Sequence, residues 1–315
     1  MFEKEIKLSS RSNYRIGGPA RYFFSAKDLP ETIRVFEKWR EINGPFFVLA
    51  GGTNVLFGDD CFEGLVFTPD FQEIKKDDDS SLRVGVGVLM EDLVSFFEEK
   101  GFSGLEWAGG LPGTLGGAIR GNAGAFGGEI KDVVKEVTSF DVSSGDKTIR
   151  RKNNECDFSY RNSIFKKQSP TGINPKEIII EVVLDLKKGD KKLIREIVQK
   201  NVFYRKERQP IEYPNIGSIF KNVSCEKIGK KRLEEFEPVI KTDPFPVVPV
   251  AHLISEAGLK GISCGGAMIS PKHPNFIVNV VNASANDVKN LIELVKSEIK
   301  NRFEINLEEE IIIFS

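Results

Sequence analysis

The chain alternates between stretches with a helical spacing of apolar residues and short runs that are apolar throughout. In DLPETIRVFEKWREING, Ile33 and Phe36 lie on one helical face, Asp28 precedes the first turn and Asn43 follows the last. A proline in the first turn and an Asn-Gly pair after the last are typical of helix ends. We therefore predict a capped helix over residues 28–44.

The C-terminal third carries a second capped helix. Ser284 is followed three residues later by Asp287, the spacing of a capping box. The apolar stripe after it consists of Val288, Leu291, Val295 and Ile299. The closing segment EEEIIIFS predicts a last strand.

The middle of the chain mixes strands and helices irregularly. PFFVLAGGTNVLF predicts a strand, a turn and another apolar run, and SLRVGVGVLMEDLVSFFEEKG predicts a strand and then a helix that ends at Gly101. The β-branched residues of EIIIEVVLDL predict a strand over 177–186, and the helix that follows is stopped by Pro210, near the main domain boundary. This irregular order favours an α+β fold over a regular doubly wound sheet.

Glycine is concentrated in one segment, AGGLPGTLGGAIRGNAGAFGGE, which covers residues 108–129 and holds nine of the 29 glycines. A second glycine turn, LAGGTN, lies about 60 residues earlier, directly after a predicted strand. Consecutive backbone N–H groups in such turns can bind an anion, so the two turns together could hold a pyrophosphate and a ring system. An ordinary hairpin or strand-to-strand turn at the first and close strand packing at the second are the alternatives. Neither G-x-G-x-x-G nor a P-loop occurs.

Charge and composition narrow the classes of function. The formal net charge is −1, from 45 basic and 46 acidic residues, so it gives no reason to bind nucleic acid or an anionic membrane. The scattered cysteines (Cys61, Cys156, Cys225 and Cys264) and only two histidines argue against disulfides and against a metal centre. With no signal-peptide-like start and no apolar run of membrane length, we expect a cytoplasmic protein without a metal.

Six ordered segments resemble one known family. They are LAGGTNVLFGDD, GLEWAGGLPGTLGGAIRGNAGAFGGEIKDVV, FSYRNSIFK, QPIEYPNIGSIFKN, GLKGISCGGAMISPKHPNFIVN and LEEEI. Together they are similar to the UDP-N-acetylenolpyruvoylglucosamine reductase (MurB) family. The resemblance implies a two-part FAD-binding region of the vanillyl-alcohol-oxidase type and a C-terminal α+β substrate domain. Expected bounds are 1–68 and 69–203 for the two FAD-binding subdomains and 204–315 for the substrate domain, whose last strand could return to the first subdomain.

The resemblance also implies non-covalent FAD, NADPH as reductant, a UDP-sugar substrate and a role in peptidoglycan precursor synthesis. We expect a monomer. The implied FAD contacts are Gly51, Gly52, Thr53, Asn54 and Val55 in the first turn, and Pro112, Gly113, Thr114, Gly117, Ala118, Asn122 and Gly124 in the second. On this interpretation the glycines let backbone amides approach the flavin and its diphosphate.

Three residues are implied as catalytic. Reduction of an enolpyruvyl ether needs hydride at the terminal alkene carbon, a proton on its neighbour and stabilisation of the enolate between the two steps. By motif position, Arg161 holds the carboxylate, Ser218 donates the proton and Glu310 acts beside them. Taken alone, these residues would be interpreted as a surface ion-pair arginine, a Gly-Ser turn and part of a solvated acidic cluster with Glu308 and Glu309.

Substrate-binding residues follow from the same motifs: Tyr160, Arg208, Asn222, Lys260 and His273. The chain departs from the family at Thr53, Gly121 and Phe126, where Ser, Met and Tyr are usual. It lacks the long loop of one subtype, and its segment 223–251 is longer than usual, which suggests a lid or an ordered arm.

Two other functions remain open from the sequence. An oxidase of the same flavin fold could carry covalent flavin, although no histidine lies near either glycine turn. A non-catalytic nucleotide-sugar binding protein derived from the family is the third possibility, and the joint presence of Arg161, Ser218 and Glu310 argues against it.

Overall fold

The computed structural model describes residues 2–243 and 245–314. The chain forms two compact units. Unit 1 consists of residues 1–6, 20–51 and 61–204, and unit 2 of residues 7–19, 52–60 and 205–315. Within the described residues, no helix has both the length and the apolar character that a membrane crossing requires.

The helices and strands have the following bounds. The α-helices are α1 (Leu29–Ile42), α2 (Met90–Lys100), α3 (Leu115–Gly121), α4 (Ile164–Gln168), α5 (Lys191–Arg208), α6 (Lys230–Phe236), α7 (Val250–Glu256) and α8 (Ala285–Phe303). The strands are β1 (Glu3–Lys7), β2 (Pro19–Ala26), β3 (Phe46–Val48), β4 (Val55–Phe57), β5 (Phe62–Pro69), β6 (Ile74–Asp78), β7 (Ser81–Gly85), β8 (Phe102–Ser103), β9 (Gly124–Ala125), β10 (Gly128–Glu129), β11 (Val134–Asp141), β12 (Thr148–Lys152), β13 (Glu177–Asp185), β14 (Lys187–Lys188), β15 (Val223–Ser224), β16 (Val247–Val248), β17 (Ser263–Cys264), β18 (Ala267–Ile269), β19 (Ile277–Asn279) and β20 (Ile312–Phe314).

Unit 1 contains a four-stranded sheet in the order β1-β2-β5-β3 and a five-stranded sheet in the order β12-β11-β13-β7-β6. In the first, β5 pairs in parallel with both β2 and β3, whereas neighbours in the second are antiparallel. The two sheets share a core, because the Phe36 ring of α1 lies 5.0 Å from Phe67 on β5 and 5.8 Å from Phe140 on β11. This mixture of parallel and antiparallel sheets with helices is the α+β arrangement.

The helix predicted over 28–44 is confirmed as α1. The Asp28 side chain accepts a hydrogen bond from the Glu31 amide at 2.7 Å, and Asn43 ends the helix at φ 52°. The buried face comprises Thr32, Val35, Phe36 and Trp39, with the Ile33 side chain half-buried, so it is rotated slightly from the predicted one. The predicted helix ends at Gly101 and before Pro210 are also confirmed, by α2 and α5.

Unit 2 is built around α8. The predicted capping box is present, since Ser284 and Asp287 exchange hydrogen bonds with each other's backbone amides, and the four stripe residues are buried. The Asp59 carboxylate also accepts from the Ala285 amide at 2.9 Å. The strands β4 and β20 pair in parallel in this unit. The last residue of the predicted closing strand, Ser315, lies outside the described residues.

The described residues of the segment, 223–243 and 245–251, form an arm that packs in unit 2, one of the two possibilities considered for it. Its strands β15 and β16 pair with each other. The Phe236 side chain is buried against Phe303 of α8, with ring centroids 5.7 Å apart. The arm therefore contributes to the core of the unit.

Candidate active site

The two glycine turns meet at one point in unit 1. A Cβ placed on Gly51 would lie only 2.8 Å from the Gly113 Cα and 3.2 Å from the Thr114 nitrogen. The two turns, which are about 60 residues apart in sequence, therefore place backbone directly against backbone. This close contact requires a residue without a side chain at position 51.

The first turn is not an ordinary hairpin. Strand β3 before it pairs with β5, whereas strand β4 after it pairs with β20. The turn therefore connects strands of two different sheets. The hairpin alternative is wrong for this segment, whereas the other alternative, a turn from one strand to the next, describes it.

A cleft opens beside the two turns, within unit 1. It encloses about 660 Å³ of space free of protein atoms, including the part open to solvent. Its lining is largely apolar with a few polar groups, as is usual in cofactor and ligand pockets. Its lining is Val48, Ala50, Thr68, Pro69, Asp70, Val86, Gly87, Thr114, Gly116, Gly117, Arg120, Phe165, Gly172, Pro175, Glu177, Ile178 and Ile179.

Gly117 shows that the cleft suits a ligand that approaches the backbone closely. A Cβ on its neighbour Gly116 would lie 2.9 Å from the Val86 Cβ, so packing accounts for that glycine. A Cβ on Gly117 would meet nothing closer than the Ala50 Cβ at 3.4 Å, an ordinary contact. Glycine inside a helix costs about 1 kcal/mol relative to alanine, and protein packing does not require it here. An alanine side chain would therefore fit at Gly117 within the protein, and the glycine leaves the backbone accessible from the cleft that it lines.

The remainder of the first turn belongs to unit 2. Gly52 has φ 64°, and a Cβ there would lie 2.1 Å from the Arg11 carbonyl oxygen. Asn54 donates from Nδ2 to the Glu310 carbonyl oxygen at 3.2 Å and accepts at its own carbonyl from Ile312. Gly52 is therefore required by packing, and Asn54 takes part in strand pairing. Thr53 and Val55 continue the turn into β4.

Asn122, Gly124 and Arg161 form a connected group in unit 1. Asn122 is fully buried at φ 42° and donates from Nδ2 to the Ser159 carbonyl at 3.0 Å. Arg161, at φ 54°, donates from Nη2 to the Gly124 carbonyl at 2.9 Å, and its guanidinium lies 5.2 Å from the Tyr160 ring centroid. Positive φ at non-glycine residues is strained and often marks functional sites. The predicted Arg161 and Tyr160 are therefore held beside the second glycine turn.

A backbone hydrogen bond in unit 2 joins the segments that carry Ser218 and Glu310. The Glu310 amide donates to the carbonyl of Ile219, the residue after Ser218, at 2.8 Å. Gly217 precedes Ser218 at φ 83°, a conformation that favours glycine. The Ser218 hydroxyl makes no hydrogen bond to another described residue, so the chain does not commit its proton elsewhere.

The two acidic residues before Glu310 are ion-paired. Glu309, whose side chain is 26% exposed, lies 2.9 Å from the Lys296 Nζ, and this pairing raises the pKa of Lys296. Glu308 pairs with Lys221. The expectation of a solvated cluster is therefore wrong for Glu309, because α8 supplies a lysine to it.

Among the residues described, no hydrogen bond or ion pair joins the remaining substrate candidates, which all lie in unit 2. Arg208 and Lys260 are exposed, and the Asn222 Oδ1 accepts from the Val250 amide at 3.2 Å. His273 is half-buried, and its Nδ1 is enclosed without a partner among the described residues. Burial lowers the pKa of His273 to about 4, so it is neutral near pH 7.

Comparison with known proteins identifies the family. Residues 20–150 match the FAD binding domain family, and residues 209–314 match the family described as UDP-N-acetylenolpyruvoylglucosamine reductase, C-terminal domain. The chain is 37% identical over 309 residues to UDP-N-acetylenolpyruvoylglucosamine reductase of Anoxybacillus flavithermus, covering 97% of this chain and 91% of that protein. The chain belongs to the UDP-N-acetylenolpyruvoylglucosamine reductase family. It is an FAD-dependent oxidoreductase.

Other members of the reductase family agree with this assignment. The reductase of Thermosipho melanesiensis is 36% identical over 309 residues, covering 98% of this chain and 94% of that protein. The crystal structure of MurB from Thermus caldophilus superposes with a TM-score of 0.77 at 29% identity and covers 100% of both chains. The resemblance inferred from the motifs and the α+β fold class are confirmed.

Sequence reasoning about this reductase missed Arg120, which lines the cleft of unit 1. Arg120 stands between two predicted cofactor residues, Gly117 and Asn122, and an arginine in a glycine-rich segment was the available signal. It also missed Glu177, which lies at the start of the predicted strand β13 and lines the same cleft.

Proposed function

We propose that the protein reduces the enolpyruvyl ether of UDP-N-acetylglucosamine-enolpyruvate to UDP-N-acetylmuramate, with NADPH as reductant. It would act in peptidoglycan precursor synthesis as a cytoplasmic enzyme without a metal. We propose that it is a monomer. The observation that carries the proposal is the backbone hydrogen bond from the Glu310 amide to the carbonyl of Ile219, the residue after Ser218, in a chain of the reductase family.

The cleft of unit 1 and the turns beside it would hold FAD. Thr114 and Gly117 line the cleft, and Gly51 and Gly113 bring the two turns into contact. When bound, FAD supplies the hydride that reaches the terminal alkene carbon of the substrate. The remaining predicted contacts of the second turn are Pro112, Ala118, Asn122 and Gly124, and those of the first are Gly52, Thr53, Asn54 and Val55.

Arg161 would bind the carboxylate of the enolpyruvyl group. A guanidinium presents parallel N–H donors that match a carboxylate, and its hold strengthens as negative charge develops there. The hydrogen bond from Nη2 to the Gly124 carbonyl fixes the side chain in advance. Prior positioning of this kind avoids reorganisation during the reaction.

Ser218 would donate the proton and Glu310 would act beside it. A serine hydroxyl is a weak acid, but a carbanion is basic enough to take its proton when the two are aligned. The backbone pairing of Glu310 with Ile219 fixes the segment on which Ser218 stands. Tyr160, Arg208, Asn222, Lys260 and His273 would contact the UDP-sugar.

An anaerobic titration tests this function. The visible absorption spectrum of the purified protein is recorded, NADPH is added in steps, and the enolpyruvyl UDP-sugar follows. We expect a flavin band that bleaches with NADPH and returns with the UDP-sugar, but not with UDP-N-acetylglucosamine, which lacks the alkene. Size-exclusion chromatography with light scattering of the same sample gives the oligomeric state.

The same titration separates the alternatives. Flavin that stays on the protein after denaturation, or a bleached band that returns only with oxygen, would favour an oxidase. A protein that binds the UDP-sugar but remains colourless after incubation with FAD would favour a non-catalytic binding protein.

A further inference from the structure

Arg120 is a cation in the cleft of unit 1 that no carboxylate of the described chain neutralises. Its Nη2 donates to the carbonyl oxygens of Ser169, at 2.7 Å, and Pro170, at 3.2 Å. These neutral acceptors leave the donors on Nε and Nη1 without a hydrogen bond to any described residue. Burial lowers the pKa of Arg120 to about 10, so the guanidinium still carries its charge at pH 7.

The acidic residues that line the cleft are engaged elsewhere. The Glu177 carboxylate is bound by Arg151, Ser139 and Gln168. The Asp70 carboxylate accepts from the Gln72 side-chain amide. A half-buried cation without a counter-ion is less well solvated than one at the surface, and an anionic ligand would compensate its charge.

Arg120 lies on the same face of α3 as Gly117. Arg120 follows Gly117 by three residues in α3, and residues at this spacing lie on one face of a helix. Gly117, Thr114 and Arg120 all line the cleft. The cation and the space that a Cβ would fill at Gly117 therefore belong to one surface.

We infer that Arg120 binds the ADP half of FAD, with its free guanidinium donors on a phosphate oxygen. This inference rests on the proposed FAD site. It adds a residue that binds the phosphate-bearing half of the cofactor and not the isoalloxazine half. Guanidinium–phosphate hydrogen bonds are charge-assisted and roughly twice as strong as neutral ones. The isoalloxazine half carries no phosphate, so Arg120 should contribute to its binding only indirectly.

The test measures the affinities of the two halves separately on apoprotein. Riboflavin and FAD binding are followed by flavin fluorescence, and ADP binding by competition with FAD. In Arg120→Gln, we expect the Kd of ADP and of FAD to rise roughly 10- to 100-fold, while the Kd of riboflavin changes less than about threefold. Arg120→Lys, which keeps the charge but loses the planar fork, should lie between the wild type and Arg120→Gln.

Arg150→Gln is the matched control, because it removes one arginine from the same unit at an exposed side chain. It should leave all three affinities unchanged. If Arg120 only ties α3 to the loop at 169–170, then Arg120→Gln will weaken riboflavin and ADP equally, and the inference is overturned. Unchanged ADP affinity in both Arg120 variants also overturns it. If the wild-type protein binds no FAD, the proposed function fails first, and riboflavin and ADP binding by the wild type show this directly.

Discussion

Replacement of Glu177 by glutamine should destabilise unit 1 by several kcal/mol. The Glu177 side chain is 5% exposed and that of Arg151 is 17% exposed. Arg151 donates to both carboxylate oxygens, from Nη2 at 2.8 Å, and Gln168 donates from Nε2 at 3.0 Å. Glutamine would keep the shape but leave the Arg151 charge buried without its counter-ion.

The size of the effect follows from burial. Removing one partner of a buried ion pair costs about 3–5 kcal/mol. In a domain of 150–250 residues, 1 kcal/mol corresponds to about 2–4 °C in Tm. Differential scanning calorimetry of Glu177→Gln should therefore show the transition of unit 1 lowered by roughly 6–20 °C.

The pH dependence provides a second readout. Burial alone would raise the pKa of Glu177, but the hydrogen bonds from Arg151, Ser139 and Gln168 outweigh it and hold the pKa below its usual value. A lowered pKa stabilises the folded state above the unfolded pKa of about 4.3, and this contribution is lost as the pH falls through the folded pKa. The difference in Tm between wild type and Glu177→Gln should thus be full at pH 7 and shrink below about pH 4.

Glu136→Gln is the control for this experiment. Glu136 lies on β11 of the same sheet, 4.0 Å from the exposed Arg150, and such a pair contributes less than about 1 kcal/mol. A Glu177→Gln protein whose Tm falls no more than that of Glu136→Gln would refute the reasoning, as would a difference that persists unchanged at pH 3.

Three further predictions concern the proposed sites. Arg161→Gln should retain FAD and its reduction by NADPH but lower kcat about 10²- to 10³-fold, as stopped-flow and steady-state rates would show; an unchanged kcat contradicts the carboxylate-binding role. Gly117→Ala should leave apoprotein Tm unchanged or slightly raised, because Ala50 is 3.4 Å away, yet weaken FAD binding. Tight FAD binding by that variant would mean that the free space is not used. Asn54→Ala should lower the free energy of unfolding by about 1 kcal/mol, measured by urea denaturation, because the Glu310 carbonyl loses this donor; an unchanged free energy would exclude a contribution from this contact.

Local features of the fold could be predicted from the sequence. The capping box at Ser284 and the helix ends at Asp28 and Asn43 depend on residues within one turn of each other, and all are present. The irregular order of strands and helices likewise predicted the α+β class. Signals of this kind lie in a short window, so neighbouring residues determine them.

Contacts distant in sequence were beyond such reasoning. The contact of Gly51 with Gly113 depends on two turns that meet in space. The sequence also does not distinguish a glycine that packing requires from one that a ligand requires. Glu309 is paired with Lys296 of α8, and nothing in the acidic triplet indicates that this lysine is its neighbour. Whether Arg120 has a counter-ion depends on every residue around it, and only the structure shows them.

The site residues were obtained from motifs rather than from periodicity. Ser218 stands in a Gly-Ser turn, which has an ordinary structural interpretation on its own. The structure adds that the following residue, Ile219, pairs with Glu310, some 90 positions later. Because of this pairing, Ser218 and Glu310 can be proposed to act together.

The most direct test of the account compares the two half-reactions in Ser218→Ala. Flavin reduction by NADPH and flavin reoxidation by the enolpyruvyl UDP-sugar are measured separately by anaerobic stopped-flow absorption. We predict FAD binding and reduction at the wild-type rate, with turnover to the reduced UDP-sugar slowed at least about 10²-fold, because no group replaces the proton donor. Wild-type turnover by Ser218→Ala would contradict the assignment of the proton to Ser218 and with it the proposed chemistry of this site.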